Sequence, residues 1–157
     1  MNDQYINIYN NLVKLTRNKA LYKNFSTQDT FSDRLIFFLF HFGFFLKVFK
    51  KNTEKKILQD IYDYNFKQLE LSIREIGYGD VSINKKMKTY INTFYSILDK
   101  IDNWEMLSSV NKGVIISNFL NINANTSNLT NYFDKYLLSL SNNTLNSFTK
   151  GVIKLKF

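Results

Sequence analysis

The sequence predicts an all-α protein, a single-domain helical bundle built around a central, aromatic-rich helix. Three observations carry that prediction. Apolar residues recur at steps of three and four along most of the chain, which is the spacing of one helix face. No proline occurs in the 157 residues, so none breaks a helix from within. Residues 35–49 read LIFFLFHFGFFLKVF, an apolar run that leaves no polar face and therefore suits a helix enclosed by others.

Taken in chain order, a first helix is expected over residues 4–17 and the aromatic run over about Thr30–Lys51. The next, about Thr53–Ile76, is the clearest. Leu58, Tyr62, Phe66, Leu69, Ile73 and Ile76 share one face, Asp63, Lys67, Glu70 and Arg74 another, and Glu70 lies one turn before Arg74. Thr53 is the expected N-cap, and Gly77 the expected terminator. After the link Gly77-Tyr-Gly-Asp80 a further helix is expected from near Ser82, capped by Asp80 or Ser82. Its stripe is Met87, Ile91, Phe94, Leu98 and Ile101, widened by Tyr90 and Ile97. Lys85, Lys86 and Lys88 fall in its first turns, the end where positive charge is least favoured. Residues 105–110, 114–120 and 128–140 read as shorter helices between Asn-rich links. The tail Gly151–Phe157 alternates and reads as a short strand or a frayed end, and residues 141–157 together as a loose tail.

The aromatic run is too short to cross a bilayer. Its fifteen residues reach about 22 Å as a helix, against a hydrocarbon core of about 30 Å that takes about 20 apolar residues. Asp33 and Arg34 precede it, Lys47, Lys50 and Lys51 close it, and His41 and Gly43 lie inside it. A buried central helix is expected, with an exposed apolar side or adjoining groove as the alternative.

Composition excludes several chemistries. There is no cysteine, hence no disulfide, thiolate metal site or cysteine nucleophile, and one histidine, His41, offers little for a metal site or a catalytic triad. Gly77-Tyr-Gly79 has no preceding strand and is no dinucleotide fingerprint. No enzyme activity, cofactor, metal or DNA binding is expected. The net charge of +8 is compatible with an anionic partner such as RNA, a ribosome or an anionic membrane; a lysine- and asparagine-rich composition explains part of it equally well. The N-terminus lacks the features of a secretory signal or an Arg- and Ser-rich transit peptide. For His41 the commoner reading is a core histidine bonded to a neighbour; a haem- or quinone-carrying interior is the rarer one.

Two stretches are more specific: ALYKNFSTQDTFSDRLIFFLFHF at residues 20–42, and IYDYNFKQLELSIREIGYGDVSINKKMK at residues 61–88 followed by Phe94-Tyr95. Together they resemble the ubiquinol–cytochrome c chaperone family, whose pattern runs close to FY…PDT…GRFD…LH, then FD…LREMGVGDLSVGKKVK, then FYGR. Asp29, Thr30, Arg34 and His41 match the first part. Asp63, Arg74, Glu75, Gly77, Gly79, Asp80, Ser82, Lys85, Lys86 and Lys88 match the second. The likeness is best over residues 5–100. It departs where Lys19 and Gln28 replace prolines, Asp33 and Asn84 replace glycines, Leu35 replaces a phenylalanine, and Ser96-Ile97 replaces Gly-Arg.

The resemblance implies a non-enzymatic assembly factor for the cytochrome b-c complex, respiratory complex III, with newly made cytochrome b as client. The missing presequence points to a bacterial member, cytoplasmic and peripheral to the inner membrane, without a transmembrane span and acting with a co-chaperone or ribosome. It makes Asp29, Arg34, His41, Arg74, Glu75, Gly77, Gly79, Asp80, Lys85, Lys86 and Lys88 the candidate partner-binding residues. Two elements would share the work: a groove bordered by the Thr30–Lys51 helix, and the Gly77–Lys88 turn. Capping and bracing of the turn is the competing explanation for Arg74, Glu75 and Asp80. A basic RNA- or ribosome-binding module is the alternative function.

Overall fold

The computed structural model describes residues 3–23, 31–122, 126–155 and 157. Asp29 and Thr30 lie outside them. Among the described residues the chain forms seven α-helices and no strand. These are α1 (Ile6–Thr16), α2 (Phe31–Phe49), α3 (Lys55–Glu75), α4 (Asp80–Ile101), α5 (Ser109–Leu120), α6 (Ser127–Ser141) and α7 (Leu145–Lys150). Three short 3-10 turns, Asp3–Tyr5, Lys19–Tyr22 and Trp104–Met106, punctuate them.

The aromatic run is the axis of the bundle. Leu35, the unbroken stretch Phe37–Phe45 and Phe49 are all buried. Their rings point in every direction, and each direction meets a different element. Phe38 meets Tyr9 of α1, and Phe42 lies between Phe66 of α3 and Phe94 of α4. Phe40 and Phe44 meet Phe133 of α6, Phe44 also meets Trp104, and Phe45 meets Phe148 of α7. A helix apolar all round is stable in water only when enclosed in this way. No helix among the described residues is long and apolar enough to cross a membrane.

Gly43 is where α4 comes closest. A Cβ built on it would stand 3.1 Å from Ile101 Cδ1 and 3.4 Å from Ile97 Cγ2. Gly43→Ala should be nearly neutral, since those side-chain ends can yield and alanine gains about 1 kcal/mol in helix propensity. Gly43→Leu has no room and should lose about 1–3 kcal/mol by overpacking. Denaturant titration of the pair checks this; equal stability of the two variants would contradict the close approach.

Several local expectations change in three dimensions. Neither α3 nor α4 has a side-chain cap: Glu54 and Gly79 occupy the N-cap positions, so Thr53, Asp80 and Ser82 do not act as caps. Ile76 is not on the buried stripe. It is 54% exposed, while Ile61, Tyr64 and Asn65 join the buried face instead. Residues 105–110 are not one helix, because Ser108 caps α5 by accepting from Asn111 N–H and so separates it from the turn at Trp104. α5 then ends at Asn121, which adopts the left-handed conformation that asparagine tolerates. α7 was not anticipated; Thr144 caps it through Ser147 N–H. Beyond it, Asn11 accepts from Ile153 N–H and donates to the Gly151 carbonyl, which ties this irregular tail to α1.

Candidate functional site

Chain direction sorts the candidate residues into two ends. The links after α2 and α3 are short, so α2 and α3 run antiparallel and α2 and α4 point the same way. The contacts agree: Gly43 faces Ile97 and Ile101, and Lys47 Nζ donates to the Asp102 carbonyl at 2.5 Å. The starts of α2 and α4, with Arg34 and the α3–α4 turn, therefore share one end of the bundle. Their C-termini share the other.

At the first end, every residue from Arg74 to Ser82 is exposed. Gly77 turns the chain with φ +105, a region that strains any residue with a Cβ, while its N–H bonds the Arg74 carbonyl at 3.0 Å. Gly79 has φ −74 and open space around it, so its backbone does not require glycine. Asp80 spends its carboxylate on the Arg74 guanidinium rather than on the helix end, and this bond holds Arg74 above its usual pKa. Lys67, not Arg74, pairs with Glu70. Lys86 Nζ sits over the Tyr78 ring, 4.6 Å from its centroid. Glu75, Lys85 and Lys88 are exposed on the same turn. Beside them stand Ile76, Tyr78 and Val81, the last 85% exposed. Sequence reasoning missed these apolar residues. The signal was present: Ile76 and Tyr78 alternate with the two glycines past the end of α3, and Val81 follows in the first turn of α4.

Arg34 is exposed at the start of α2, at this same end. His41 is fully buried. Its Nδ1 lies 2.6 Å from the Phe37 carbonyl, which can only accept, so Nδ1 carries the proton. Nε2 then accepts from the Tyr132 hydroxyl at 2.7 Å. Both ring nitrogens are engaged, as expected of a core histidine, and neither is open to a haem iron.

At the other end lies a groove of about 670 Å³, walled by Lys47 and Val48 of α2, Lys51 just beyond it, Trp104, and Leu137 and Leu138 of α6. Lys47 pairs with Glu105 at 3.1 Å, and Lys112 with Asp134 at 2.9 Å. Asp134 also accepts from the Trp104 indole, fixing the floor. Leu138 in the groove wall is largely exposed, as are Met106, next in sequence to the groove's Glu105, and Val110 on α5, with Met106 at 84%. Among the described residues, α2 borders this groove with its last turn, and most of its phenylalanines are used in the core.

Comparison with known proteins gives a family and no structural relative. No curated protein and no solved structure gives a significant match to the chain. The family model described as ubiquinol-cytochrome C chaperone matches residues 23–153, from just before α2 through α7. The chain belongs to the ubiquinol–cytochrome c chaperone family.

Proposed function

We infer that the protein is a non-enzymatic assembly chaperone for the cytochrome b-c complex, with newly made cytochrome b as its client. The observation that carries this reading is exposed apolar surface on a member of a chaperone family: Leu138 in the groove wall, Met106 next in sequence to the groove's Glu105, and Val110 and Val114 on α5. A client with many apolar spans needs cover for those spans before its complex is complete, and such surface supplies it. The ion pairs Lys47–Glu105 and Lys112–Asp134 give the groove polar walls. The α3–α4 turn, with Arg74, Glu75, Gly77, Gly79, Asp80, Lys85, Lys86 and Lys88, is the partner-facing element at the opposite end. In this reading the chaperone works peripherally at the inner membrane, alongside a co-chaperone or the ribosome.

Capture of the tagged protein from its own membranes in gentle detergent, probed for cytochrome b, tests the reading. Cytochrome b enriched without the mature complex is the expected result, and Val110→Asp with Leu138→Asp should abolish it. Absence of cytochrome b from the eluate of a folded protein would overturn the proposal. Arg74→Ala separates binding from bracing at the turn. Arg74 is solvent-exposed, and exposed ion pairs contribute little to stability. The variant should therefore keep its melting temperature while complex III falls; a collapsed melting temperature would identify Arg74 as a brace.

A further inference from the structure

The α3–α4 turn combines two features that work against each other on a solvated surface. The first is apolar exposure on a firm base. Ile76, Tyr78 and Val81 project between Arg74 and Ser82, while Ile73, Ile83 and Met87 immediately beneath them are buried and the Arg74–Asp80 ion pair closes the turn. The second is positive charge without a carboxylate partner. Lys85, Lys86 and Lys88 follow in the second and third turns of α4, and among the described residues none of them forms an ion pair. Water favours the lysines but not the aliphatic side chains. A protein groove would favour the aliphatic side chains but would have to neutralise the lysines.

One environment satisfies both at once, the interface of an anionic bilayer. Aliphatic side chains gain by leaving water, a tyrosine ring sits at headgroup level, and lysines reach the phosphates while their stems cover apolar surface. We propose that the α3–α4 turn docks the protein on an anionic lipid surface. Ile76, Tyr78 and Val81 enter the interfacial layer, and Lys85, Lys86 and Lys88 pair with lipid phosphates. This rests on the reading of the turn as partner-facing and names that partner; it does not depend on the identity of the client. RNA would engage the lysines but would gain nothing from Ile76 and Val81.

Flotation of the full chain with vesicles tests the proposal, comparing phosphatidylcholine alone with phosphatidylcholine containing phosphatidylglycerol. Binding should require the anionic lipid and weaken with salt. Each of Lys85→Gln, Lys86→Gln and Lys88→Gln should cost about fivefold in affinity. Ile76→Ser with Val81→Ser, which changes no charge, should cost about tenfold. Val152→Ser, an exposed apolar residue on the tail beyond α7, should leave binding unchanged. Tryptophan emission of Val81→Trp should shift to the blue on anionic vesicles. Three results would overturn the proposal: no preference for anionic vesicles, a serine pair that binds like the parent chain, or equal binding to single-stranded RNA that the serine pair does not alter. Failure here with cytochrome b still captured would leave the chaperone reading standing. Vesicle binding without cytochrome b capture would overturn the chaperone reading alone.

Discussion

Phe133→Ala should be among the most damaging single substitutions in the protein, costing about 3–5 kcal/mol. Phe133 is fully buried on α6, and its ring centroid lies 5.3 Å from those of Phe44 and His41 and 5.4 Å from that of Phe40. Removing it leaves a cavity walled by rings that are themselves packed on Phe119 of α5 and on Trp104, so the surroundings cannot collapse far into the space. Domains are stable by only about 5–15 kcal/mol, and for this size each kcal/mol shifts the melting temperature by about 2–4 °C. A drop of about 6–20 °C is the expected readout. Leu138→Ala, on the exposed side of the same helix, should change stability by less than about 0.5 kcal/mol. A single cooperative transition in both variants would tie the C-terminal helices to the same folding unit as α2. A loss below about 1 kcal/mol at Phe133 would mean that α6 packs more loosely on α2 than the ring contacts describe.

The contrast between these two positions shows what could be read from the sequence. That residues 35–49 lie inside was legible from length and lack of a polar face, because both are local properties. Which element meets each phenylalanine was not, since the partners are up to about a hundred residues away and carry no pairing signal. The helical stripe of α3 was legible in period but not in extent. Ile76 fits the spacing, yet Gly77 turns the chain before that position can reach the core. At the candidate site, Gly77 as terminator follows from its missing Cβ. The Arg74–Asp80 pair does not follow from helical spacing, which favours Glu70 one turn earlier; the turn folds Asp80 back to the guanidinium and so removes it as a cap. The large groove was the least legible feature. Its walls come from α2, α6 and the turn at Trp104, and only tertiary packing assembles them.

Acidification should destabilise the protein through His41 over a defined window. Burial lowers the His41 pKa from 6.5 to about 4, partly opposed by the bond to the Phe37 carbonyl. The folded state thus favours the neutral ring, whereas the unfolded chain takes up a proton below about pH 6.5. Below that pH the unfolded state binds more protons, so the stability present above 6.5 falls as pH drops and levels off below about 4. The loss approaches about 3 kcal/mol across the window. The groups around the ring explain why the charge is resisted. Phe133 packs on it, and Tyr132 and Tyr136 face it edge-on, their own pKa values raised by burial. The measurement is a difference: denaturant unfolding of the parent chain and of His41→Gln at matched pH. The gap between the two should shrink by up to about 3 kcal/mol as pH falls through the window. Parallel curves would mean that His41 protonates as easily in the folded chain as in the unfolded one, which a ring with no accessible surface and both nitrogens engaged would not allow.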